Sequence, residues 1–213
     1  MLPRNGVRVP STQHPSSSTS TRPVVVACFY AGLLLAGFFW HAVGEDSNNV
    51  WSSDPDRGLF RLLGTLAIGA VLGAITVQVF RALELHMAWL SDLHLEFRAI
   101  FGRPSRGELW LLASASALGE EVFFRGAMLD AWGLWISSAV FALLHIPPRR
   151  GLWPWTASSL VLGLFWGWIT QLTGDLGVAV GAHFVINLQN LTYITRHRPR
   201  MAVRGPIRPA ARP

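Results

Sequence analysis

The residues of this chain that invite a chemical reading are Glu120, Glu121, Arg125, His145, His183 and Asn187, because each lies inside or at the end of an apolar run. An ionisable side chain costs roughly 2.5–3.5 kcal/mol at mid-bilayer on insertion scales, so each one present needs a partner or a purpose. Glu121 and Arg125 are four apart and share a helix face, which allows an ion pair. Glu120 is rotated from Glu121 by about 100° and points its carboxylate elsewhere. His145 closes the run Phe141-Ala142-Leu143-Leu144-His145, and His183 sits mid-run with Asn187 one turn further along the same face. Carboxylates, imidazoles and an amide held in lipid are the groups of a proton relay or of a reaction centre. The plainer reading has the glutamates pinning helices, His145 sitting at the interface before Pro147 and Pro148, and His183 with Asn187 as a packing pair. Two adjacent buried carboxylates make that reading the more costly one.

The elements that must position these groups are apolar segments over Val24–Val43, Phe60–Phe80, Glu108 to about Asp130, Trp132–Ile146, Leu152–Leu172 and Leu176–Ile194. All but the fourth reach the ~20 residues that a helix needs to cross ~30 Å of hydrocarbon. With 51% hydrophobic and 14% charged residues among 213, the composition excludes an ordinary soluble domain. The ten tryptophans fall mostly near the ends of these runs, as interfacial anchors do. The fold expected is all-α: a polytopic helical bundle of about six transmembrane helices. An interfacial amphipathic helix is expected after the second span, from the spacing of Leu83, Met87, Leu90, Leu93, Phe97 and Ile100. Four stretches are read along the chain. They are a disordered cytoplasmic tail (1–23), two spans with the interfacial helix (24–106), a helical core that holds the candidate residues (107–195) and a basic disordered tail (196–213).

Charge distribution supports six spans. With both termini cytoplasmic, every arginine except Arg57, Arg61 and Arg125 falls on the inner side, as the positive-inside rule expects. The net charge of +6 is thereby explained by topology, and no nucleic-acid partner is expected. The first apolar stretch exceeds the ~7–15 residues of a signal-peptide core, so a retained anchor is preferred to a cleaved leader. The single cysteine, Cys28, lies in an apolar run and supplies neither a disulfide framework nor a Cys-based zinc site. The sequence contains no internal repeat and no Gly-rich phosphate loop.

Depth then brings the segments together. From a turn near Gly133, Glu120 lies 13 residues back and His145 12 forward, about 18–20 Å in each case. From a turn near Gly174 on the same side, His183 and Asn187 lie roughly 14–20 Å in. All four are expected in one layer, displaced toward the cytoplasmic half.

The motifs Glu120-Glu121-x-x-x-Arg125, Phe141-x-x-x-His145 and His183-x-x-x-Asn187 resemble, in order and spacing, those of the CPBP intramembrane proteases. That group contains the CAAX prenyl endopeptidases and bacteriocin-processing or immunity proteins, and the resemblance covers roughly 108–194. It implies peptide hydrolysis by a water that Glu120 activates as general base and His145 orients or polarises, with His183 and Asn187 as donors to the tetrahedral oxyanion. Glu121 and Arg125 position the helix, Glu121 being close enough in sequence to contribute directly, and Phe141 is structural support. Glu120, His145 and His183 are also a conceivable ligand set for a divalent metal such as zinc. No His-Glu-x-x-His pair preorganises two ligands on one helix, so a metal-free mechanism stands at least equal, and both remain open.

The expected partners are membrane lipids and a peptide or protein with a membrane-associated segment; the expected location is a bacterial inner membrane. A prenylated C-terminus, a bacteriocin-type leader and a C-terminal sorting tail all fit as substrates. Two other classes compete: a proton-coupled transporter, which would use the same Glu and His residues as a relay, and a non-catalytic immunity or scaffold protein. The lack of repeated halves or paired broken helices weighs against the first, and the number of buried polar groups against the second.

Overall fold

The computed structural model describes residues 21–44, 49–54, 58–84, 86–102, 104–147 and 149–196, so both expected tails lie almost wholly outside it. The described residues are helical with short connections: α1 (Thr21–Gly44), α2 (Leu59–Glu84), α3 (Ala88–Phe101), α4 (Arg106–Glu120), a π-helical segment (Glu121–Met128), α5 (Leu129–Leu143), a 3-10 turn (Arg150–Leu152), α6 (Trp153–Thr173) and α7 (Gly177–Arg196). Large apolar side chains such as Leu35, Phe39, Val71, Trp135, Val161 and Leu172 face outward, while Ser116, Glu120, Glu121, Arg125, Ser138 and Thr170 are buried. That inverted distribution belongs to a bundle whose solvent is lipid. The chain is an integral membrane protein.

Three stretches are long and apolar enough to cross a membrane by length and composition: Val24–Gly44, Leu59–Glu84 and Arg106–Leu143. The third takes in two expected spans, one on either side of a kink. Gly133 breaks it with φ 79° and ψ 172°, a conformation readily adopted only by glycine, at the place where the turn was expected. Ser137 Oγ donates to the Phe124 carbonyl at 2.6 Å, tying the two arms together. The helices α6 and α7, 21 and 20 residues long, do not reach the same hydropathy. Ser158, Ser159, Thr170 and Gln171 in α6, and His183, Asn187, Gln189 and Asn190 in α7, lower it.

Packing seams run along small residues. A Cβ on Gly69 would meet the Val178 carbonyl oxygen at 2.1 Å, and one on Gly73 the Ala182 carbonyl oxygen at 2.5 Å; Gly181 abuts the Leu66 carbonyl in the same way. Both chains advance together through these contacts, so α2 and α7 run parallel, backbone against backbone, as small-xxx-small seams allow. At the N-terminal ends of this pair, Ser53 N–H donates to the Gly174 carbonyl and Leu176 N–H to the Trp51 carbonyl, both at 3.0 Å. Gly37 and Gly119 give α1 a similar seam against the π segment and α4, meeting Phe123 Cα at 2.9 Å and the Tyr30 carbonyl oxygen at 2.6 Å.

The expected amphipathic helix is α3. Leu90 and Leu93 are buried and Ile100 is exposed. Arg98 donates to the Ile194 carbonyl at 3.2 Å, Phe97 packs edge-on against Trp155, and Glu96 pairs with Arg149. The next helix starts on a capping box: Ser105 Oγ accepts from Glu108 N–H, and the Glu108 carboxylate accepts from Ser105 N–H.

Candidate active site

The last turn of α4 and the π segment carry the charges. In a π-helix the backbone pairs i with i+5, an arrangement seen mostly as single turns and often at functional sites. Here it begins at Glu121, directly after Glu120. Arg125 Nη1 donates to Glu121 Oε1 at 3.1 Å, with the Glu121 residue 0% and Arg125 3% exposed. The Arg125 guanidinium also lies 4.1 Å from the Phe141 ring centre, which gives Phe141 a definite supporting contact.

His183 of α7 reaches the same carboxylate: its Nδ1 lies 2.6 Å from Glu121 Oε1, and its Nε2 lies 3.7 Å from Glu120 Oε2. The imidazole therefore stands between the two glutamates. Glu120 is 6% exposed, and its Oε2 has no hydrogen-bond partner among the described residues. Glu120 and Glu121 carry two formal negative charges against one on Arg125.

Asn187 Nδ2 donates to Ser116 Oγ at 2.8 Å, and Ser116 Oγ in turn donates to the Ala113 carbonyl at 3.2 Å. His145 Nδ1 lies 2.7 Å from the Phe141 carbonyl, so that nitrogen is the donor and Nε2 is the acceptor in the neutral ring. The imidazole packs on Phe141 and against Trp155, with centroid separations of 4.4 and 5.4 Å, and Thr156 Oγ1 donates to the His145 carbonyl.

All seven residues singled out in the sequence line one cavity of about 440 Å³: Glu120, Glu121, Arg125, Phe141, His145, His183 and Asn187. Contacts run without a gap from His145 through Phe141, Arg125, Glu121 and His183 to Glu120. His145 makes no hydrogen bond to either glutamate; it shares only the cavity with them. No three His, Cys, Asp or Glu residues among those described are grouped to hold a metal ion, so Glu120, His145 and His183 do not form a ligand set in this arrangement.

Sequence reasoning missed three neighbours. Tyr30 of α1 lines the same cavity as Glu120. Ser116 lies one turn before Glu120 on the same face, and Trp155 walls His145. A lone phenol amid the otherwise apolar first span was the signal for Tyr30; the i, i+4 spacing to Glu120 was the signal for Ser116.

Fold and cavity together define an integral membrane helical protein with a buried acid–imidazole centre. Residues 105–189 match the family model described as type II CAAX prenyl endopeptidase Rce1-like, which supports the resemblance to the CPBP/CAAX proteases over that stretch. Two Bacillus subtilis (strain 168) proteins are similar to the chain. Uncharacterized protein YpbD is 38% identical over 96 residues, covering 42% of this chain and 47% of that protein. Uncharacterized protein YyaK is 31% identical over 105 residues, covering 41% of this chain and 35% of that protein. The chain thus spans less than half the length of these relatives. No solved structure matches it.

Proposed function

We propose that the chain is an intramembrane endopeptidase that cuts a peptide bond in a membrane-associated or lipid-anchored protein. The observation that carries this reading is Glu120 Oε2, 3.7 Å from His183 Nε2 and without a hydrogen bond among the described residues, in a cavity that His145 and Asn187 also line. A carboxylate oxygen in that state accepts a hydrogen bond from a water in the cavity and takes its proton as the oxygen attacks the scissile carbonyl carbon. His145 Nε2, the acceptor edge of its ring, orients the same water. The negative charge moves to the carbonyl oxygen, where donors are needed. Asn187 has two amide hydrogens, and Ser116 takes only one. His183 serves as the second donor in its doubly protonated form, keeping Nδ1–H on Glu121 and offering Nε2–H. Collapse of the tetrahedral centre breaks the C–N bond, and the proton on Glu120 passes to the departing amine. Glu121 and Arg125 act as positioning residues, fixing the His183 ring.

The parallel course of α2 and α7 supports the six-span topology with both termini on one side, and the basic character of the tails supports the cytoplasmic side of a bacterial inner membrane. The decisive experiment compares peptide termini in membranes from cells carrying the active chain or Glu120→Ala. New termini that depend on Glu120 are expected; unchanged processing with Glu120→Ala removes the reading.

A further inference from the structure

The same cavity continues past the acid–imidazole centre to a second charged group. Arg81, near the end of α2, lines its wall together with Glu84, His94 and Tyr193. The guanidinium sits 4.9 Å over the Tyr193 ring centre, and its Nε is buried without a hydrogen-bond partner among the described residues. Glu84, three positions on, is engaged by His94 at 3.0 Å, and no described carboxylate lies within ion-pair distance of Arg81. A half-buried guanidinium stacked on an aromatic face, with a buried Nε–H left without a hydrogen bond and the nearby carboxylate engaged by His94, carries a desolvation cost that an incoming anion removes.

We propose that Arg81 forms a second subsite of this cavity, binding a carboxylate of the substrate peptide about four residues from the bond that is cut. A guanidinium presents parallel N–H groups that match a carboxylate in a two-pronged pair, and the Tyr193 ring below holds the fork flat against the wall. Spacing supplies the register: Tyr193 lies ten residues beyond His183 on α7, about 15 Å along the axis. An extended peptide covers that distance in about four residues. The carboxylate has two possible sources, the free C-terminus of the substrate or an acidic side chain. The register rests on the endopeptidase reading; the anion site itself does not.

The test uses the full chain carrying Glu120→Gln in phosphatidylcholine nanodiscs. The probe is a fluorescent, lipid-anchored apolar hexapeptide in three forms: free acid, C-terminal amide, and amide with glutamate at the last position. Anisotropy is expected to show the acid, the glutamate form or both bound about tenfold or more tightly than the neutral amide, the size of a charge-assisted hydrogen bond. Adding Arg81→Gln erases the difference, whereas Arg81→Lys, which keeps the charge, retains part of it at equal thermal stability. Equal affinity for the three forms, or no binding, overturns the subsite. So does an Arg81→Gln effect that appears only with anionic lipid and is the same for all three, which makes Arg81 a headgroup anchor. Incubating the acid form with Glu120 intact separates the two proposals. Carboxylate-dependent binding without cleavage sinks the endopeptidase reading alone, and cleavage without carboxylate dependence sinks the subsite alone.

Discussion

Between Gly69 and Gly73, helix α2 meets Val178 and Ala182 of α7 so closely that no Cβ fits. Over the next three turns or so the same helices carry Thr76 and Arg81 on one side and His183, Asn187 and Tyr193 on the other, all on the wall of a cavity. The first region is closed, dry and made of residues with almost no side chain. The second is polar, roomy and under-partnered. A parallel pair locked at one end holds its other end in place, so polar groups there are positioned without being fully satisfied by one another. Partly satisfied groups are what a reacting or binding site requires.

The contrast is broken most severely at Glu120. Changing it to Gln is expected to lower cleavage by about a hundredfold or more, the span of general-base catalysis, with thermal unfolding in detergent hardly moved. A large loss of stability instead would place Glu120 among the structural groups. Glu121→Gln inverts that pattern, because it leaves the 3%-exposed Arg125 without its carboxylate. A destabilisation of about 3–5 kcal/mol is expected, read as loss of folded protein across a denaturant or temperature series. In the closed region, Gly69→Val drives a side chain into the Val178 carbonyl. It should cost about 3 kcal/mol or somewhat more in the same assay, with residual activity following the folded fraction.

The smallest effect concerns α3. Burial holds the His94 imidazole below its ordinary value of 6.5, Glu84 opposes this, and the Arg81 charge adds to it. The neutral ring is therefore the one the fold favours. Its contribution is complete above about pH 6.5 and falls away as the pH drops toward the depressed folded value. Amide protection over residues 88–101, taken relative to the intrinsic exchange rate at each pH, should fall between pH 7.5 and 5.5, and His94→Gln should flatten that change.

Much of this was legible in the chain. Apolar runs located the helices, the spacing after the second span located α3, and counting inward from Gly133 and Gly174 put Glu120, His145 and His183 within reach of one cavity. What was not legible depends on contacts between elements. Depth counting cannot say that Asn187 finds Ser116, or that His145 commits Nδ1 to its own helix, because both depend on side-chain direction. Arg81 read as one of the inner-side charges that set topology; only the packing of α2 on α7 lays it over Tyr193. Nor does any residue pattern announce the π pairing after Glu120, since the change lies in which carbonyl each N–H selects.

That altered pairing makes the outer arm of the hairpin a gauge of length. If one residue were removed between Glu121 and Met128, the backbone would relax into an ordinary α-helix. Everything beyond would swing by about 100° and slip back by about 1.5 Å. Arg125 would leave Phe141, and Ser137 would lose the Phe124 carbonyl that latches the arms. In this stretch the number of residues, and not their kind alone, sets where the two arms meet.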